Sequence, residues 1–194
     1  ALAWAGFTDK SSLVSGLHDV NSAWCDFNND GYEDLYDGRL FRNNGGTSFT
    51  QQGGFGWGVW ADYNNDGYSD VFSLEQDQVM RNNGGSGSFT SVTTASLAGS
   101  DNRGACWADL DGDAYVDLYV GAYEASGYET DSVLMNNQGS KFTRTWTEPT
   151  VHGIRFPGRG VTACDFDQDG DMDVYVSNYR LEANYLWQNN GSGG

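Results

Sequence analysis

The chain has 194 residues, with 27 Asp and Glu against 10 Lys and Arg and a net charge of −17. That balance excludes binding to the phosphates of nucleic acid and adsorption to anionic membranes, which both need basic surface. No apolar run approaches the roughly 18–20 residues of a membrane span, and the many Trp, Tyr and Phe side chains speak against a disordered acidic segment.

In chain order, the opening residues carry no basic and apolar leader, so any signal peptide is expected to have been removed. Phe7-Thr8 reads as the start of a lone strand. The first Asp-rich loop is Asp26-Phe-Asn-Asn-Asp-Gly-Tyr-Glu-Asp34, followed by the strand Leu35-Tyr36, by Asn43-Asn44-Gly45 and by Phe49-Thr50. The second loop, Asp62 to Asp70, leads into Val71-Phe72-Ser73-Leu74, then Asn82-Asn83-Gly84 and Phe89-Thr90. The third, Asp109 to Asp117, leads into Leu118-Tyr119-Val120, then Asn136-Asn137 with Gly139, and Phe142-Thr143. The fourth, Asp165 to Asp173, leads into Val174-Tyr175-Val176 and Asn189-Asn190-Gly191.

This is one unit four times over: strand, Asp loop, strand, strand, Asn-Gly turn, strand. Frequent Gly and scarce Pro suit short strands and tight turns, and Asn-Gly is a hairpin signal because both residues tolerate positive φ. Four antiparallel strands per unit make a propeller blade. The predicted fold is therefore an all-β propeller of four units in a single domain, 1–194. The units cover about 18–53, 54–99, 100–156 and 157–194, the last completed by 1–17. The fourth unit lacks a Phe-Thr strand and the N-terminal segment has a spare one. The N-terminal strand is therefore expected to close the last blade, in its own chain or in a neighbour.

Two positions before the loops stand Trp24, Trp60, Trp107 and Ala163, and one position before stand Cys25, Ala61, Ala108 and Cys164. Strand alternation puts the large ring on one face and the small residue on the other. The Trp residues are expected between blades, with sugar stacking as the alternative. Cys25, Cys106 and Cys164 are read as small buried hydrophobes. In a four-blade ring Cys25 and Cys164 lie on neighbouring blades, which leaves a disulfide between them open.

Oxygen donors at loop positions one, three, five and nine, with the carbonyl of position seven, suit a hard cation, and calcium over the stricter magnesium. The four sets are Asp26, Asn28, Asp30, Tyr32 and Asp34; Asp62, Asn64, Asp66, Tyr68 and Asp70; Asp109, Asp111, Asp113, Tyr115 and Asp117; and Asp165, Asp167, Asp169, Asp171 and Asp173. Position six is Gly for the tight turn, except for Ala114. An EF-hand needs an acidic ligand at position twelve, usually Glu, and a following helix. Here Asp37, Ser73, Val120 and Val176 stand there and strands follow. About four Ca2+ per chain are expected, as part of the fold.

These loops, the Asn-Asn-Gly turns, the Phe-Thr strands and the stretch Arg159-Gly160 with Asp165–Asn178 resemble the FG-GAP/VCBS repeat family, whose repeats occur in cartilage acidic protein and integrin α propellers. The resemblance covers nearly the whole chain. It implies calcium at the four loops, an extracellular location and a role in adhesion or recognition of a protein or glycan.

His18 and His152 come with no nucleophile motif, so no enzyme is expected. The predicted function is an extracellular calcium-binding recognition module. The alternatives are a subunit that self-assembles by strand exchange at its chain ends, and a lectin. Candidate recognition loops are Glu75–Val79, Tyr123–Ser132 and Trp146–Phe156. Asn190-Gly191-Ser192 is the one N-glycosylation sequon.

Overall fold

The computed structural model describes residues 8–16, 22–92, 102–122, 130–147, 158–178 and 183–191. Apart from one 3-10 turn at Ser11–Leu13, the regular structure of these described residues is all strand. The first sheet holds β1 (Ala23–Cys25), β2 (Asp34–Tyr36), β3 (Arg39–Asn43) and β4 (Phe49–Gly54). The second holds β5 (Gly58–Ala61), β6 (Asp70–Ser73), β7 (Gln78–Asn82) and β8 (Phe89–Val92). The third holds β9 (Asn102–Ala108), β10 (Asp117–Ala122), β11 (Ser132–Asn136) and β12 (Phe142–Thr147). The fourth holds β13 (Gly158–Cys164), β14 (Asp173–Asn178) and β15 (Tyr185–Trp187). Every sheet is an antiparallel meander in sequence order.

One register recurs in all four. The residue before the loop pairs with the loop's last Asp: Cys25 with Asp34, Ala61 with Asp70, Ala108 with Asp117 and Cys164 with Asp173. Each Asp loop is thus the hairpin between the first two strands of its sheet, and its ninth residue already belongs to the second strand. Residues of the inner strands β1, β5, β9 and β13 line one cavity of about 530 Å³. Gly58 is required there, because a Cβ at its position would lie 2.6 Å from a Val71 methyl and 2.8 Å from the Phe72 carbonyl oxygen.

Three apolar clusters join successive sheets. Phe27, Tyr36 and Leu40 of the first sheet lie under Phe55, Trp60 and Phe89 of the second. Tyr63, Phe72 and Val79 meet Trp107, Leu118 and Phe142 of the third. Leu110, Tyr119 and Val133 meet Val174, Val176 and Trp187 of the fourth. Trp60 and Trp107 sit in these junctions as their spacing predicts. Trp24 does not: its ring is exposed. Among the described residues no cluster joins the fourth sheet to the first, so the four sheets form a propeller-like row that these residues do not close. The fourth sheet shows three strands. The strand expected to complete it begins at Phe7, outside the described residues. Lys10, Leu13 and Val14 instead border Trp24 and Phe49 of the first sheet.

Candidate metal centres

The backbone wraps each loop around its first carboxylate. Asp26 accepts from the amides of Asp30 (3.1 Å) and Gly31 (2.8 Å), and Asp62 from those of Asp66 (3.0 Å) and Gly67 (2.7 Å). Asp109 accepts from Asp113 (3.1 Å) and Ala114 (2.9 Å), and Asp165 from Asp169 (3.2 Å) and Gly170 (3.0 Å). The fifth residue fixes the seventh: Asp30, Asp66, Asp113 and Asp169 accept from the amides of Tyr32, Tyr68, Tyr115 and Asp171 at 3.0, 2.9, 2.9 and 3.0 Å.

This wrapping needs left-handed backbone at two places. Position six has φ of 85°, 87° and 100° at Gly31, Gly67 and Gly170, and 70° at Ala114. Position four is left-handed too, at Asn29, Asn65, Gly112 and Gln168. In the sequence pattern only position six stands out as a forced turn. The signal for position four was present, since Asn and Gly are the residues that tolerate this region best.

The ninth carboxylate is the buried one. Asp34, Asp70, Asp117 and Asp173 are all buried, and each binds backbone on both oxygens. Asp117 accepts from Leu110 N (2.9 Å) and Asn136 N (2.7 Å), and Asp70 from Tyr63 N (3.3 Å) and Asn82 N (2.7 Å). Desolvation pushes Asp70 up to about 7 and Asp117 up to about 6, against the pull of those amides. Asp34 is raised for the same reason.

In the third loop, oxygens of Asp109, Asp111 and Asp117 all lie within 4.8 Å of one another; Asp165, Asp167 and Asp173 do the same in the fourth. In the first two loops Asn28 and Asn64 take the place of the third acid, and their amides donate to Asp30 (3.1 Å) and Asp66 (3.0 Å). The donor set is all oxygen and includes a carboxylate withdrawn from water. It fits a hard divalent ion, which would offset the mutual repulsion of the acids. Asp113 and Asp169 lie outside the two acid clusters, and Tyr115 and Asp171 are held by their amides.

The turn asparagines have a role that their sequence did not disclose. Among the described residues none has positive φ; Gly45, Gly46, Gly84, Gly85, Gln138, Gly139 and Gly191 carry it. The first Asn of each pair instead braces the loop. Its amide N–H donates to the ninth Asp, and its side chain donates to the carbonyl before that Asp. In three cases it also crosses to the previous sheet: Asn82 to Phe27 O, Asn136 to Tyr63 O and Asn189 to Leu110 O, each at 2.7 Å.

Other expectations change. Glu75–Val79 is not a long loop but a turn running into β7, with Val79 in the core. Trp146 lies in β12 and packs on Tyr119 and Trp187 at 6.0 and 5.5 Å. Residues 123–129 and 148–157 of the other two loops, with His18, His152 and Ser192, lie outside the described residues. The three cysteines are free, so no disulfide joins Cys25 to Cys164. Burial pushes the thiols of Cys25 and Cys106 up to about 12.

Residues 62–120 match the family model of the FG-GAP-like repeat. They run from the second Asp loop through the third. No curated protein matches the chain. Among solved structures the chain is similar to an Agrocybe aegerita lectin that recognises non-reducing terminal N-acetylglucosamine, with a TM-score of 0.58 and 21% identity. The match covers 89% of this chain and 50% of the lectin, so the chain spans half of that protein's length. At this identity the likeness is one of fold.

Proposed function

We propose that this chain is a non-catalytic, extracellular recognition module of propeller type, with about four calcium ions held in its Asp loops as structural elements. The observation that carries the reading is the repetition of one loop at one register in four sheets, with a buried ninth carboxylate each time. An FG-GAP-like repeat over residues 62–120 supports it. In this reading the ions fix the hairpins that set the spacing of the inner strands, and ligand contacts come from surfaces those hairpins orient. The test is calorimetric titration of chelator-treated protein with calcium, alongside thermal melting. Several equivalents bound with a rise in melting temperature is the expected result; no heat and an unchanged melt would refute it.

A carbohydrate ligand is the second reading, favoured by the fold likeness to a lectin. Binding on a glycan array that includes terminal N-acetylglucosamine, lost on adding chelator, is the expected outcome. Protein ligands would be favoured instead by a blank array from protein that binds calcium.

A further inference from the structure

The four Asp loops are not tied to one another equally. At position four, between two of the candidate ligands, the first loop has Asn29 and the second Asn65, both left-handed with φ of 57°. Each side chain leaves its own loop. Asn29 donates to Gly67 O of the second loop (2.6 Å), and Asn65 to Ala114 O of the third (3.1 Å). The accepting carbonyl is that of position six in both cases. Its peptide group continues into the amide of position seven, which donates to the carboxylate of position five: Tyr68 N to Asp66 and Tyr115 N to Asp113, each at 2.9 Å. A side chain of one loop therefore orients the peptide that holds a candidate ligand of the next, and hydrogen bonds joined through one peptide group reinforce each other.

The turns add to this link. Gly85 of the second sheet lies so close to the first loop that a Cβ on it would come within 2.8 Å of Asn28 Cα, and Gly139 of the third sheet stands 3.0 Å from Asn64 Cα in the same sense. Asn82 and Asn136 meanwhile hold Phe27 O and Tyr63 O. Positions two, three and four of the first loop thus all touch the second sheet, and those of the second loop all touch the third. The third loop breaks the series. Leu110 O still accepts from Asn189 (2.7 Å), but position four is Gly112, which has no side chain to send across, and Gly191 of the next turn has Asp171 of its own loop as its nearest neighbour.

On the reading that these loops hold calcium, we infer that binding to the first three is coupled, each loop raising the affinity of its neighbour, while the fourth loop stands outside the group. An ion that orders the first loop fixes Asn29, which holds the Gly67 peptide and through it Asp66. The second ion then enters a loop that is already partly ordered and removes less conformational freedom. By linkage the second ion helps the first by the same factor. Asn65 carries the same coupling from the second loop to the third.

The test is a titration of the whole chain with chelator-buffered calcium, followed by NMR of the backbone amides of Gly31, Gly67, Gly112 and Gly170. Each donates to the first Asp of its own loop, so the four loops are read separately. Asn29→Gly and Asn65→Gly remove the two links and keep a residue that accepts left-handed backbone. Gln168→Gly makes the same change in the fourth loop and measures its local effect. In wild type the response at Gly67 should be steeper than at Gly170. Asn29→Gly should raise the calcium midpoint at Gly67, in a loop whose own residues are unchanged, by about three- to tenfold, the worth of one hydrogen bond. The response there should also lose steepness, which a merely local weakening would not change. Asn65→Gly should do the same at Gly112, and Gln168→Gly should move Gly170 alone. If one Asn variant fails to fold, the other gives the readout. A wild-type response no steeper at Gly67 than at Gly170, midpoints that stay at wild-type values in the Asn variants, or midpoints that move with no loss of steepness would each overturn the coupling and leave calcium binding standing. No response to calcium at any of the four amides would overturn both.

Discussion

Replacing Asn136 with Ala tests whether the turn asparagines are the clasps between sheets. The side chain is buried and makes three hydrogen bonds: it donates to Tyr63 O (2.7 Å) and Val116 O (3.0 Å) and accepts from Gly139 N (2.9 Å). Truncation leaves two carbonyls and one amide without these partners. At about 1–3 kcal/mol for each buried group left unpaired, with partial rescue by water, the loss is about 3–5 kcal/mol. Asn43 provides the control within the same molecule. It makes the corresponding local bonds, to Glu33 O (2.9 Å) and from Gly46 N (2.7 Å), but none to another sheet among the described residues. These bonds are solvent-exposed, so Asn43→Ala should cost about 1 kcal/mol. The difference corresponds to roughly 10 °C in melting temperature for a domain of this size. Urea and thermal unfolding in calcium, followed by circular dichroism, measure it. Asn136→Asp should be at least as damaging as Ala, because it loses the donor and sets a second carboxylate near Asp117. Equal losses at positions 43 and 136 would refute the clasp.

Removing calcium with a chelator should lower the melting temperature sharply, and calcium should restore it. The fourth loop, with Asp at positions one, three, five and nine and Gly170 at the turn, should bind tightest, so Asp165→Ala should remove more calcium affinity than Asp62→Ala, as read by titration. Ala114→Gly should stabilise the third loop by up to about 1 kcal/mol, because Ala114 holds a φ of 70° that costs a Cβ-bearing residue energy; a loss on unfolding by denaturant would contradict this. Asp131 is buried beneath the Tyr119 hydroxyl (2.7 Å) and Ala122 N (2.9 Å), and desolvation pushes it up to about 6 from 3.8. The folded state therefore binds a proton that the unfolded state has lost, and this group's contribution to stability falls as pH rises through that window and is flat above it. Asn copies the neutral acid, so the stability of Asp131→Asn relative to wild type should improve by on the order of 3 kcal/mol between about pH 4 and pH 6.5; a pH-independent difference would count against it.

Sequence by itself determined the repeat, its strands and its loops. Asp26 to Asp34 and its three counterparts are local objects: spacing, turn residues and alternation suffice to write them, and the hairpins appear where that pattern puts them. Local pattern also identified Gly31 as a forced turn, yet passed over Asn29 two residues before it, since two left-handed residues in one loop become evident only when the amides of Asp30 and Gly31 close on Asp26. Tertiary structure decided what the repeats do to one another. Asn82 and Asn43 are indistinguishable in sequence context, and only the neighbouring sheet gives one of them the Phe27 carbonyl. Trp24 and Trp60 occupy one position of the unit, but one lies against Tyr36 at 5.2 Å and the other faces solvent. A side chain's burial depends on what is packed against it, and in a repeat protein that neighbour is another unit, encoded tens of residues away and, at the two ends of the row, not encoded within the described residues.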